Sequence, residues 1–178
     1  MSEGKTDNWS SWVALATAIL AVFAAVTTLY VGKYSSRTIL SQAQETDQWA
    51  FYQAKSIKSY LYEVQKQNME LEMLAQKGKI RAEAADRYQK VIRDYDSKIK
   101  RYDQEKEEIK AKAEKLARDK EEAQHRAGNY GYGLIFLQIA IMLSSIAVLT
   151  KKKQLFYFGL ASVTGWLFFF LDANWLFY

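Results

Sequence analysis

The chain has no cysteine and no proline among its 178 residues, and one histidine. Without cysteine there is no disulfide and no thiolate metal site. Without proline nothing in the backbone forces a helix to kink or stop. His125 alone would need carboxylates from neighbouring turns or subunits to hold a transition metal, so the expected role is a solvated residue and the expected cofactors are none. Glycine-rich phosphate loops, nucleophile elbows and zinc-protease motifs are also missing. Carboxylate pairs such as Glu107/Glu108 and Glu121/Glu122 stand among Lys106, Lys110 and Lys120, as on a solvated helix face with i,i+4 pairing. Nothing in the pattern encloses them in an apolar pocket that would raise a carboxyl pKa for acid catalysis. No enzyme is expected.

A dominant charge sign is missing too. The net charge is +5, and residues 33–131 carry 21 of the 25 Lys+Arg and 17 of the 20 Asp+Glu. Lysine and glutamate are interspersed through that stretch, whereas a nucleic-acid binder clusters its basic residues on one face. Nucleic acid is not an expected partner.

What the sequence does have is apolar blocks at both ends. Residues 12–32, 132–150 and 154–171 are each about as long as a helix needs to cross a bilayer's hydrocarbon core. Residues 1–11 read as a tail, 33–131 as a helical projection, 151–153 as a basic loop and 172–178 as a membrane-edge ending. The first block lacks the basic region and cleavage site of a secretory signal and reads as a retained signal anchor. Ala14, Ala18, Ala21, Ala25 and Thr28 recur at alternating steps of four and three, a stripe of small residues suited to close helix packing in lipid. Trp9, Trp12, Tyr30 and Tyr34 sit where interfacial aromatics belong. Gln138 and Ser145, seven residues apart, are the candidate intramembrane polar contacts, either as interhelical glue or as the lining of a polar path. No Asp, Glu, Lys or Arg interrupts the spans before Asp172 outside the lysine loop, which weighs against a proton-coupled transporter.

The projection carries two heptad runs. The first is Ala43, Asp47, Ala50, Ala54, Ile57, Leu61, Val64, Asn68, Leu71 and Ala75. The second is Ala85, Tyr88, Ile92, Tyr95, Ile99, Tyr102, Lys106, Ile109, Ala113, Leu116, Lys120 and Ala123. They are out of phase across Gly78, which predicts a break there. Since the chain leaves the membrane near Lys33 and returns near Tyr132, a hairpin with its tip near 78–86 follows. Pairing the runs tip-inward puts Leu61 opposite Tyr102, Val64 opposite Ile99, Leu71 opposite Ile92 and Ala54 opposite Ile109. The expected fold is therefore an all-α membrane protein with three transmembrane helices and a long antiparallel coiled-coil hairpin. Ile39, Leu40, Trp49, Phe51, Tyr52, Tyr60 and Tyr62 lie largely off the first seam, and one two-helix hairpin cannot bury both sets. Asp47, Trp49, Phe51, Tyr52, Lys55 and Lys58 are the candidate interface to another copy or a second partner.

Orientation signals conflict. Lys151–Lys153 in a very short loop favours a cytoplasmic loop and N-terminus with the hairpin and Tyr178 outside. Lys33 and Arg37, following the first span, favour the reverse, with Lys5 offset by Glu3 and Asp7. The triple lysine orients two of the three spans and is preferred.

The stretch Thr46-Asp47-Gln48-Trp49-Ala50-Phe51-Tyr52-Gln53-Ala54-Lys55-Ser56-Ile57-Lys58 resembles the signature of a bacterial family known only as a domain of unknown function. Tyr34-Ser35-Ser36-Arg37 and the region from Phe136 to Lys153 resemble it as well. The resemblance implies a small bacterial inner-membrane protein with a central helical region, and brings no activity or catalytic residue. The expected function is that of a membrane-anchored structural or interaction protein. Its partners would be further copies of itself, the lipid bilayer and an envelope protein. The rival is an ion-conducting or stator-like channel subunit, with Gln138 and Ser145 along a central path.

Overall fold

The computed structural model describes residues 8–76 and 81–175. They form three α-helices, α1 (Asn8–Ala75), α2 (Ala82–Thr150) and α3 (Lys153–Trp175), with no strand among the described residues. Each helix is long and apolar enough to cross a membrane. α1 and α2 run unbroken through residues 12, 32 and 132, with no proline to interrupt them. Hydroxyls inside the first apolar stretch stay satisfied by donating back along the helix, from Thr17 to the Val13 carbonyl and from Thr27 to that of Phe23, both at 2.8 Å. The break read at Gly78 and the membrane-edge residue Tyr178 lie outside the described residues, as do Glu3, Lys5 and Asp7 of the tail.

α2 ends at a residue with a left-handed backbone, Lys151 at φ 54°. That geometry commonly closes a helix, and a cation there complements the helix's negative end. α3 restarts at once, with the Leu155 amide donating to the Lys152 carbonyl at 3.2 Å.

The chain divides into two compact units, one of residues 1–40 and 119–178 and one of residues 41–118. In the first, parts of all three helices pack around Leu20, Leu137 and Ala140, with Ala24, Ile141, Val163 and Trp166 against them. α2 turns inward the row Tyr130, Gly133, Leu137, Ala140, Ser144 and Ala147, a heptad pattern. α1 turns inward Val13, Leu20 and Thr27. The small-residue stripe faces the other way: Ala14, Ala18, Ala21, Ala25 and Thr28 are all exposed. The reason lies in α3, whose Trp166 indole donates to the Thr27 hydroxyl at 3.1 Å and packs on the Phe23 ring at 5.3 Å. Both contacts sit off the alanine stripe.

In the second unit, α1 and α2 touch through pairs whose numbers fall on one helix as they rise on the other. Glu72 accepts from the Tyr88 hydroxyl at 3.4 Å, Lys66 donates to Asp96 at 2.7 Å, and Ser59 donates to Asp103 at 3.3 Å. The heptad register puts Leu61 opposite Tyr102; the ring stacked on Tyr102 is that of the next residue, Tyr62, at 5.9 Å. The second run faces α1 as expected, with Tyr102 and Ala113 buried and Tyr88, Ile92, Tyr95, Ile99 and Ile109 half-buried. The first run does not face α2. Apart from half-buried Val64 its ten members are exposed, and the inward row is Gln48, Tyr52, Lys55, Ser59, Tyr62, Lys66, Met69 and Met73.

Candidate functional site

The six interface candidates of the first arm separate onto two faces of α1. Trp49, Tyr52 and Lys55 are half-buried, while Asp47, Phe51 and Lys58 are exposed. Trp49 meets Tyr52 edge-on at 5.7 Å. Tyr52 borders an open cleft with Asp103, Gln104, Lys106 and Glu107 of α2. Lys55 pairs with Glu105 at 2.5 Å and lies over the Tyr102 ring at 5.2 Å. The inward face is thus built from cations, tyrosines and carboxylates: Lys98 also covers the Tyr62 ring, at 5.1 Å.

The charges of this face tune one another. The hydrogen bond from Lys55 holds the Glu105 carboxyl below its ordinary range, with the charges of Lys55, Arg101 and Lys58 adding to it against some desolvation. Hydrogen bonds to Asp96 and Asp94 raise Lys66 and Lys98 above the ordinary lysine range. A depressed carboxyl contributes stability above its unfolded pKa and loses it as pH falls through the folded value. A raised lysine contributes below its unfolded pKa and loses it as pH rises through the folded value. Thermal melts of the full chain in detergent, followed by helical circular dichroism, should therefore fall off on both the acid and the alkaline side. Glu105→Gln should flatten the acid side, and an acid limb unchanged by it would contradict the assignment.

In the first unit, Gln138 and Ser145 are exposed on α2, one residue off the buried row, and Ser145 donates to its own helix at the Ile141 carbonyl, 2.9 Å away. They do not line the α2–α3 seam. That seam is built instead on small residues. A β-carbon on Gly159 would stand 3.0 Å from the Ala140 carbonyl oxygen and 3.3 Å from the Leu143 Cβ, and Ser162 donates across to the Phe136 carbonyl at 2.9 Å. Small residues and hydroxyls let two backbones approach in lipid.

A polar and aromatic node, which the sequence pattern did not single out, closes one end of this unit. Arg126 donates to the Ala173 and Asn174 carbonyls at 2.8 and 3.0 Å, which ties α2 to the far end of α3. It also pairs with Glu122 at 3.0 Å and lies over the Tyr34 ring at 5.7 Å. Asn129 donates to the buried Asp172 at 2.6 Å. Tyr30 and Tyr34, expected as interfacial aromatics, stack on the buried Tyr130 at 5.0 and 5.7 Å, and Phe170 closes the cluster edge-on at 5.4 Å from Tyr130. α3 is helical through Trp175, beyond residue 171, where the apolar span read from hydropathy ends.

The family model described as "Domain of unknown function (DUF4337)" matches residues 9–176, nearly the whole chain. The chain belongs to this family. No curated protein and no solved structure matches it. The DUF4337 match spans both units, so the contact faces and the node all lie inside the family's domain. His125 is exposed beside Glu121, Asn129 and Tyr132, and among the described residues no group of three or more His, Asp or Glu side chains is placed to hold a metal ion. Along residues 41–118, α1 thus has one face in contact with α2 and one apolar face left open.

Proposed function

We propose that the protein is a structural or interaction protein anchored in a bacterial inner membrane by three transmembrane helices, without enzymatic activity, that assembles with copies of itself. Residues 41–118 act as an antiparallel coiled-coil hairpin on the periplasmic side, and the N-terminus and the lysine loop lie in the cytoplasm. The observation that carries this reading is the apolar face of α1 left uncovered: Phe51, Ile57, Leu61 and Leu71 are each more than half exposed. An apolar strip of that kind on a charged helical arm marks a contact surface. Gln138 adds support from the other unit, because an amide exposed within an apolar span gains from a hydrogen-bonding helix of another chain. Orientation rests on the short basic loop; an envelope protein facing the hairpin is a second partner the arm would suit.

Two measurements test this together. The mass of the protein in lipid nanodiscs should be a multiple of the 20.6 kDa chain, and a single-chain mass would overturn the assembly. A cysteine at Gln76, added to a chain that has none, should react with a membrane-impermeant maleimide in intact cells; labelling only after lysis would reverse the orientation.

A further inference from the structure

The exposed row on α1 is a coiled-coil seam in its own right. Its steps run three and four without interruption from Ala43 to Ala75, which assigns Ala50, Ile57, Val64 and Leu71 to one core position (d) and Ala54, Leu61 and Asn68 to the other (a). This row lies on the opposite side of α1 from the row that meets α2: Tyr52, Ser59 and Lys66 face α2, while Ile57, Leu61 and Leu71 are 61%, 56% and 64% exposed. The heptad is therefore used twice on one helix, once within the chain and once on a face the chain leaves open.

Three features identify the occupant of that face. A 3-4 repeat specifies a helix with a matching repeat rather than a flat surface or a lipid headgroup layer. Asn68 stands at an a position, where an asparagine meets its own counterpart only if the helices run parallel and in register; there its amide both donates and accepts. The flanking positions then pair Gln53 with Lys58, Tyr60 with Gln65 and Gln67 with Glu72 across the seam, and none of these brings like charges together. Copies inserted in one membrane with one orientation send their first helices out on the same side, so parallel alignment is the arrangement available to them.

We propose that the Ala50–Ala75 face of α1 binds the same face of a second copy of this chain, parallel and in register, with Asn68 fixing the register. This rests on the reading that the protein self-assembles and adds which surface does it. Asp47, one heptad step before Ala50, opposes its own copy in this arrangement and marks the end of the tight seam; like charges facing each other there favour splaying.

Single cysteines in the otherwise cysteine-free chain test the geometry, in native membranes oxidised with copper phenanthroline. Ile57→Cys, Leu61→Cys, Asn68→Cys and Leu71→Cys should each give covalent dimer. Glu63→Cys, exposed on the flank of the same turns, should give about tenfold less, since identical residues meet across a parallel seam only at core positions. Adding Asn68→Lys to Leu61→Cys should cut its dimer by a similar factor, without touching the inward row that meets α2. Equal cross-linking at Glu63 and Leu61 would overturn the proposal. So would no cross-linking at any site from a protein whose nanodisc mass is still a multiple of one chain, and that result would leave self-assembly standing. A single-chain mass would overturn both.

Discussion

Arg126→Ala is expected to cost about 2–4 kcal/mol, since hydrogen bonds from a charged donor are each worth about 1.5–3 kcal/mol net and a cation at a helix C-terminus adds up to roughly 2 more in partly buried sites. The guanidinium holds two carbonyls of the last turn of α3, Ala173 and Asn174, while covering the Tyr34 ring. Its loss removes the donor shared by the two carbonyls and uncovers one face of the Tyr34 ring. Unfolding in mixed detergent, titrated with denaturing detergent and followed by tryptophan fluorescence, reads the change, since Trp166 and Trp175 both lie in α3. Arg126→Lys should recover only part of it, because one ammonium keeps the charge but not the planar fork that reaches both carbonyls. Full recovery with lysine would mean that charge alone matters there and that the two-carbonyl contact does not.

Gly159→Leu should be comparably damaging for a different reason. The built β-carbon already stands at the edge of contact with the backbone oxygen of Ala140, and the Leu143 and Ser144 side chains close the remaining space at 3.3 and 3.4 Å. Backbone cannot swing aside as a side chain can. The two helices must separate, at a cost of about 3 kcal/mol or more, the upper end of what overpacking brings. Gly165→Ala should be milder although its β-carbon would come within 2.8 Å of Phe136, because there the obstacle is a ring that can rotate. Gly128→Ala, with nothing within 4 Å, is the silent control. Equal loss at Gly128 and Gly159 would show that the effect is not one of helix approach.

The three helices were legible because apolar blocks of membrane length and an absence of proline leave little else possible. The inward row of the second arm was legible too, since Tyr88, Ile92, Tyr95, Ile99 and Tyr102 form the one strong heptad row on that stretch. The first arm carries two such rows half a turn apart, and hydrophobicity selects the wrong one for the contact within the chain. The choice was made by partners far along the sequence: Glu105 for Lys55, Asp96 for Lys66 and Asp103 for Ser59. No periodicity in α1 alone contains that information. The alanine stripe misled for a related reason, as the side that packs was set by Trp166 reaching Thr27. The Arg126 node was invisible because Arg126 and the carbonyls it meets are 47 and 48 residues apart, and an arginine among so many basic residues carries no local mark.

The apolar row turned away from α2 also bears on how this arm would melt. The row of α1 that meets α2 mixes lysine, serine and glutamine with its tyrosines and methionines, while Ile57, Leu61 and Leu71 stay exposed, so part of the hydrophobic gain open to this arm is available only from outside the chain. If copies assemble through the exposed row as proposed, the arm's stability would obey mass action: the more chains per unit of membrane area, the higher the temperature at which it would let go. Dilution into excess lipid would act on it as a denaturant acts on an ordinary domain, and the cell's expression level would become one of the variables that fold it.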